Sequence, residues 1–290
     1  GNYQHASGKY NLEDVDNKYA FIIGNGKVNA EKKEVLRSNA FAIDWNGKIY
    51  IGSDTIGIDL TQRTITIFVN AATGNDTENN GYNLAPVQTL KKALQLTQYA
   101  RKAVICLAAG EYTIPDKTLN LLGQDVRIYG DAAATTIIKG NIVCENGFLH
   151  LSKVTIDNTD SDTANTSTTA IIAQYNGTVR ISDCVVNANS KNAVGVSDMS
   201  NICCSSTEFK GNAQYAVYVT GQGDAKIYSC TNSTTKGIYS GGNSMVRITQ
   251  NEGDNFPYTN ANNGMVFVNG QQVLPQPAAT TAILSTGGNV

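Results

Sequence analysis

Arg127, His150, Arg180, Lys226 and Arg247 occupy one common position in a series of short apolar runs, and Tyr129, Ser152, Ser182, Ser205 and Tyr228 recur two places after that position. If the runs are strands stacked in register, the two sets form adjacent columns on an outer face. The first column reads Val104, Arg127, His150, Arg180, Cys203, Lys226, Arg247, and the second Cys106, Tyr129, Ser152, Ser182, Ser205, Tyr228, Thr249. Five of the seven positions in the first are basic or potentially basic. Like charges about 5 Å apart repel by roughly 0.8 kcal/mol per pair even in water. Solvated side chains on an ordinary outer face are the plainest account. The alternatives supply an anion: an acidic glycan, or carboxylates of an adjacent subunit. This face is therefore expected to be a ligand-binding face or a subunit interface.

Carboxylates are the other candidates for chemistry. A glycosidase needs two of them about 5–9.5 Å apart. Asp157, Asp183 and Glu208 are the nearest set, but they fall six, two and four residues after their local apolar markers, so no single cleft follows. Calcium-dependent lyase chemistry would use clustered Asp residues facing an Arg base, for which Asp157, Asp160 and Arg180 are the closest approximation. Asp157, Asp160 and Asp162 alternate within "DNTDSDTANTSTT" (157–169) in a way that could serve calcium, but no Gly-and-Glu frame follows and a solvated loop is the better account. With only His5 and His150, a histidine-rich metal site is excluded. There is no Ser-His-Asp arrangement and no phosphate-binding glycine loop. No cofactor is implied, and catalysis is not compelled.

Composition narrows the class. Charged residues are 16% of 290, and Asn, Thr, Ser and Gly take their place, which suits turns and regular β stacks. The net charge of -2 gives no overall attraction to nucleic acid or an anionic membrane. No apolar run approaches the roughly 20 residues of a membrane span. Nothing at the start reads as a signal peptide, and Gly at position 1 suggests a processed chain or a fragment. Six dispersed cysteines without a CxxC pair read as free, buried thiols acting as small hydrophobes.

The elements that position these residues come from an internal repeat. Ile105, Ile128, Leu151, Ile181, Cys204, Ile227 and Ile248 are spaced by 23, 23, 30, 23, 23 and 21. Leu119, Ile142, Ile171, Val194, Val217 and Ile238 keep the same step, with intervals of 23, 23, 29, 23 and 21. Two ladders in phase at a period near 23 predict a single-stranded parallel β-helix of about seven coils over 104–253, each coil burying its inner face against the next. Two further inward columns follow: Val126, Leu149, Val179, Ile202, Ala225 and Val246, and Val154, Cys184, Thr207 and Cys230. The long interval marks an insertion near 157–169 that must project as a loop.

Ahead of the stack, 64–103 reads as a lead-in strand, "TITIFVN", a polar loop, and an amphipathic helix after Pro86. Val87, Leu90, Ala93 and Leu94 share one face, extended by Leu96 and Tyr99, and would cap the open end of the stack. "FVNAATGNDTENNGYN" followed by "PVQTLKKAL" resembles the start of pectin-lyase-like proteins, which implies the right-handed form of the β-helix. That resemblance spans roughly 64–252 and says little about activity, since the family holds lyases, hydrolases, transferases and inert adhesins.

Residues 1–52 differ. "RSNAFAIDWNGKIYIG" (37–52) predicts a hairpin with a two-residue turn at Asn46-Gly47, and 53–63 reads as a linker. Together with "NKYAFIIGNG" (17–26), this stretch resembles the neck of phage tail-fibre and tail-spike proteins, which follows modules similar to trimeric adhesin heads. The resemblance implies a homotrimer in which Phe41, Ile43, Trp45, Ile49 and Ile51 pack against other copies; folding back onto the chain's own helix cap is the alternative. It further implies a virion-tail protein acting outside the cell, joined to other tail proteins through a preceding part and bound to bacterial cell-surface polysaccharide. A polysaccharide depolymerase, whether glycoside hydrolase or lyase, and a purely structural virion or adhesin stalk share the architecture. The last segment, 254–290, contains one strand, "GMVFVNG", and a poorly patterned tail.

Overall fold

The computed structural model describes residues 5–9, 12, 14–29, 34–37, 39–45, 49–51, 58–59, 64–98, 100–234, 236–249, 256–261 and 263–273. Its main body is all-β, built from parallel sheets, with one helix among the described residues. The first sheet collects Thr64–Val69, Lys102–Leu107, Asp125–Gly130, Phe148–Ser152, Thr178–Ser182, Asn201–Ser205, Asp224–Tyr228, Met245–Thr249 and Met265–Val268, each parallel to the next. Ile105, Ile128, Leu151, Ile181, Cys204, Ile227 and Ile248 are direct register partners from strand to strand and all are buried. The ladder extends beyond both ends of the expected run, to Ile67 and Val268.

Between successive members of that sheet the chain visits two further parallel ladders. One carries Ile138, Ile156, Val186 and Phe209; the other pairs Leu119, Ile142, Ile171, Val194, Val217 and Ile238 in the expected register and ends on Tyr258. The long strands Gly110–Leu122 and Thr136–Glu145 span both ladders and join them into one sheet. Inner faces from all three ladders meet in a single apolar core. Val154, Cys184, Thr207 and Cys230 form the expected buried column; Cys184 and Cys230 each donate their thiol, and Thr207 its hydroxyl, to the carbonyl two residues earlier. A small buried side chain with its own acceptor is what these three residues share.

Corners explain the composition. Lys153, Asp183, Ser206 and Ser229 follow successive strands of the first sheet with φ between 47° and 57°. The backbone N–H groups of Lys153, Asp183 and Ser206 donate to Ser182, Ser205 and Tyr228 one row on. Asn146, Asn176, Met199, Gln222 and Asn243 make a second left-handed column. Short polar side chains tolerate that backbone best, hence the Asn, Asp, Ser and Gly content.

Both ends of the body are covered. Helix Leu90–Thr97 buries Leu90, Ala93 and Thr97 against the first strands, with Val87 buried just ahead of it and Leu94 and Leu96 packed at the edge. Thr89 caps it, accepting from Lys92 N–H. Tyr99 lies outside the described residues. At the other end the single expected strand is a hairpin: Met265–Val268 turns through Asn269 (φ 49°) and Gly270 (φ 81°) into antiparallel Gln271–Val273. Both central residues at positive φ are what a type I′ turn requires. The tail from 274 onward lies outside the described residues.

The N-terminal stretch forms a separate five-stranded sheet from His5–Lys9, Tyr19–Asn25, Asn39–Asp44, Ile49–Ile51 and Ile58–Asp59, the last falling within the expected linker. Asn39–Asp44 and Ile49–Ile51 pair antiparallel, Ile43 with Ile49 and Phe41 with Ile51, as the expected hairpin requires. The expected two-residue turn at Asn46-Gly47 lies outside the described residues.

Candidate functional site

Strands of the first sheet alternate inward and outward, so the register that buries Ile128, Leu151 and Ile181 also places Arg127, His150, Arg180, Cys203, Lys226 and Arg247 side by side on the outer face. Tyr129, Ser152, Ser182, Ser205, Tyr228 and Thr249 line up beside them, as expected. On the other flank stands a column the sequence reading did not consider: Asp125, Phe148, Thr178, Asn201, Asp224 and Met245. Rows advance by about 4.8 Å.

That third column supplies part of the compensation from within the chain, where the sequence pointed to a glycan or an adjacent subunit. Asp125 accepts from Arg127 Nε at 3.3 Å, and both Asp224 oxygens take Arg247 Nη1 at 2.7 Å. Phe148 offers its ring to the guanidinium groups of Arg127 and Arg180, 5.2 and 5.8 Å from the centroid. His150 is held by Tyr129 OH at Nδ1 (3.4 Å) and Ser182 Oγ at Nε2 (3.2 Å). Burial, with Arg127 and Arg180 adding to it, lowers the His150 pKa, so near neutral pH it adds hydrogen-bonding capacity and no charge. The cations left without a carboxylate among the described side-chain pairs are Arg180 and Lys226, both exposed and separated by the short Cys203. Tyr228 leans on that gap: burial raises its pKa, and a hydrogen bond with Cys203 contributes.

The carboxylate candidates do not assemble. Asp183 is a left-handed corner residue. Asp157 pairs in register with Asn187, while Glu208 pairs with Val185, whose own partner is Thr155. Two rows and two residues therefore separate Asp157 from Glu208, roughly 12 Å between Cα positions. Glu208 lies 3.8 Å from Lys210. Asp157 Oδ1 accepts from Thr159 N–H and Oγ1, and Asp160 Oδ1 from Asp162 N–H, so those side chains shape their own turns. Among the described residues, Asp157, Asp160 and Asp162 do not come together as a group of metal ligands. The insertion is instead pinned by buried Asn141, which donates to the Asn165 and Thr169 carbonyls at 3.1 and 3.0 Å and accepts from Asn165 N–H at 2.7 Å.

In the small sheet, Tyr19, Ile22 and Ala42 are buried on one face with Tyr50 packed against them. Phe41 and Ile43, register partners of Ile23 and Phe21, lie half-buried on the opposite face, where Phe21 meets Phe41 edge-on at 6.1 Å. Trp45 is 48% exposed, with its indole N–H donated to Asn17 O at 2.8 Å. The side chains of Ile49 and Ile51 lie outside the described residues.

Two crevices, about 180 Å³ beneath the helix and about 300 Å³ between Asp116–Thr118 and the 161–167 loop, contain no member of the basic column. The candidate site is an open face. Comparison with family models, curated proteins and solved structures finds no match for this chain.

Proposed function

We propose that this chain is a host-surface attachment protein of the phage tail-spike kind, a homotrimer of right-handed parallel β-helices that binds bacterial cell-surface polysaccharide from a virion tail. The repeated three-ladder path supports the β-helix, and the strong preference of parallel crossovers for the right hand supports its handedness. Three copies would add avidity to weak individual contacts.

The observation that carries the binding reading is the open three-column face. It repeats hydroxyls, aromatic rings and cations, with one amide at Asn201, at an interval near the length of one sugar ring, on a rigid support that holds them in line. A polymer suits such a surface better than a small molecule does, since the face is not a pocket.

A glycan array of bacterial surface polysaccharides tests the reading. Retention of at least one polysaccharide, without release of reducing ends or unsaturated sugars, is the expected result. Sugar release would place the chain among depolymerases, and the absence of any retained glycan would leave a stalk.

A further inference from the structure

We infer that Arg180 and Lys226, bridging over Cys203, form a subsite for an anionic substituent of the bound glycan, a carboxylate or sulfate, so that the ligand is an acidic polysaccharide. This rests on the glycan-attachment reading and narrows it. The column places Arg180, Cys203 and Lys226 in three consecutive rows. The two cations are thus about 9.6 Å apart at the backbone, with a short side chain between them. Arg180 lies toward Phe148 in the row before, 5.8 Å from the ring centroid, so holding one oxyanion from both sides requires its guanidinium to swing back over Cys203, which the length of the side chain allows.

The rest of the face shows why the subsite is there and nowhere else in the column. Arg127 and Arg247 spend their charge on Asp125 and Asp224. His150 is occupied by Tyr129 and Ser182. Asp224 lies two residues before Lys226 on the same strand, but both of its oxygens are taken by Arg247. Around the gap stand Ser182, Ser205 and Tyr228 on one flank and Thr178 and Asn201 on the other, neutral groups suited to sugar hydroxyls.

The test uses the full chain on an array carrying carboxylated and sulfated polysaccharides together with their carboxyl-reduced or desulfated forms. The proposal expects retention of an acidic member over its neutral counterpart, weakened in 0.5 M salt (Debye length falling to about 4 Å). Arg180→Ala and Lys226→Ala should each weaken it about tenfold, the loss of one charge-assisted contact. Lys91→Ala, on the exposed side of the capping helix and away from this face, should leave it within about twofold. Circular dichroism melting of each variant verifies that the fold is intact. Equal binding of acidic and neutral forms, or binding indifferent to both substitutions, overturns the subsite while the attachment reading survives. No binding to any glycan overturns both, and if the same substitutions then change the sedimentation mass, the face is a subunit contact.

Discussion

Cys144, Cys184, Cys204 and Cys230 face the core, whereas Cys106 and Cys203 sit half-buried on the outer face. Burial pushes the Cys144 and Cys184 thiols up to about 11 and Cys204 well above its ordinary value. The thiolate is the reactive form, so the core thiols are inert at ordinary pH. The expectation that all six are buried filler thus holds for four and is corrected for two. With a disulfide reagent at pH 8, two thiols of the native protein should react, Cys203 faster than Cys106, whose thiol burial also raises. All six should react in guanidinium. More than two titrating in the native state would contradict this placement. Cys203 was readable as an outward position from its odd offset in the repeat; its exchange of a hydrogen bond with Tyr228 was not, because that depends on rotamers.

At the scale of elements, the helix cap carries a titratable switch in stability. Asp76, from the loop before the helix, accepts from Gln88 N–H (2.7 Å), Thr89 N–H (3.0 Å) and Thr89 Oγ1 (2.6 Å). Burial by itself would raise its pKa, but the hydrogen bonds from Thr89 and Gln88 and the charge of Lys92 together lower it below 3.8. A carboxyl whose folded pKa lies below its unfolded value stabilises the fold fully above the unfolded pKa and loses that contribution as pH falls toward the folded one. Wild-type Tm should therefore drop below about pH 4 partly through this group. Asp76→Asn should start lower at pH 7 and show a shallower drop over that acid range, measured by melting across pH 2.5–7. Parallel curves for the two proteins would refute the assignment. Element reading from the sequence succeeded where a pattern repeats and missed the hairpin at Asn269-Gly270, where one signal stood alone. That dipeptide sits in a two-residue loop, and pairing of Met265–Val268 with a third strand, Met245–Thr249, settles the register.

For the whole molecule, the question is assembly. The small sheet buries Tyr19, Ile22 and Ala42 but leaves Phe41, Ile43 and Trp45 only partly covered on its other face. A lone face of this kind is a site where another chain can dock. In the homotrimer reading, sedimentation should give three times the 30.9 kDa chain mass. Phe41→Ser with Trp45→Ser should shift the protein toward monomer while leaving the melting of the long ladder in place. A wild-type monomer, or a double variant that stays trimeric, would remove this face from the assembly.

The spacing near 23 was enough to determine which residues share a column, inside and out. Strand alternation has a period of two, so a register set by buried Ile and Leu sets the outward neighbours with it. What tertiary structure alone decided was how those neighbours use one another. Asp125 and Asp224 belong to a flanking column that no apolar ladder singles out, and whether a carboxylate reaches a guanidinium depends on side-chain paths across rows. The same holds for the carboxylates whose offsets in the sequence left their grouping open: only the path of the corners and of the insertion separates Asp157, Asp183 and Glu208.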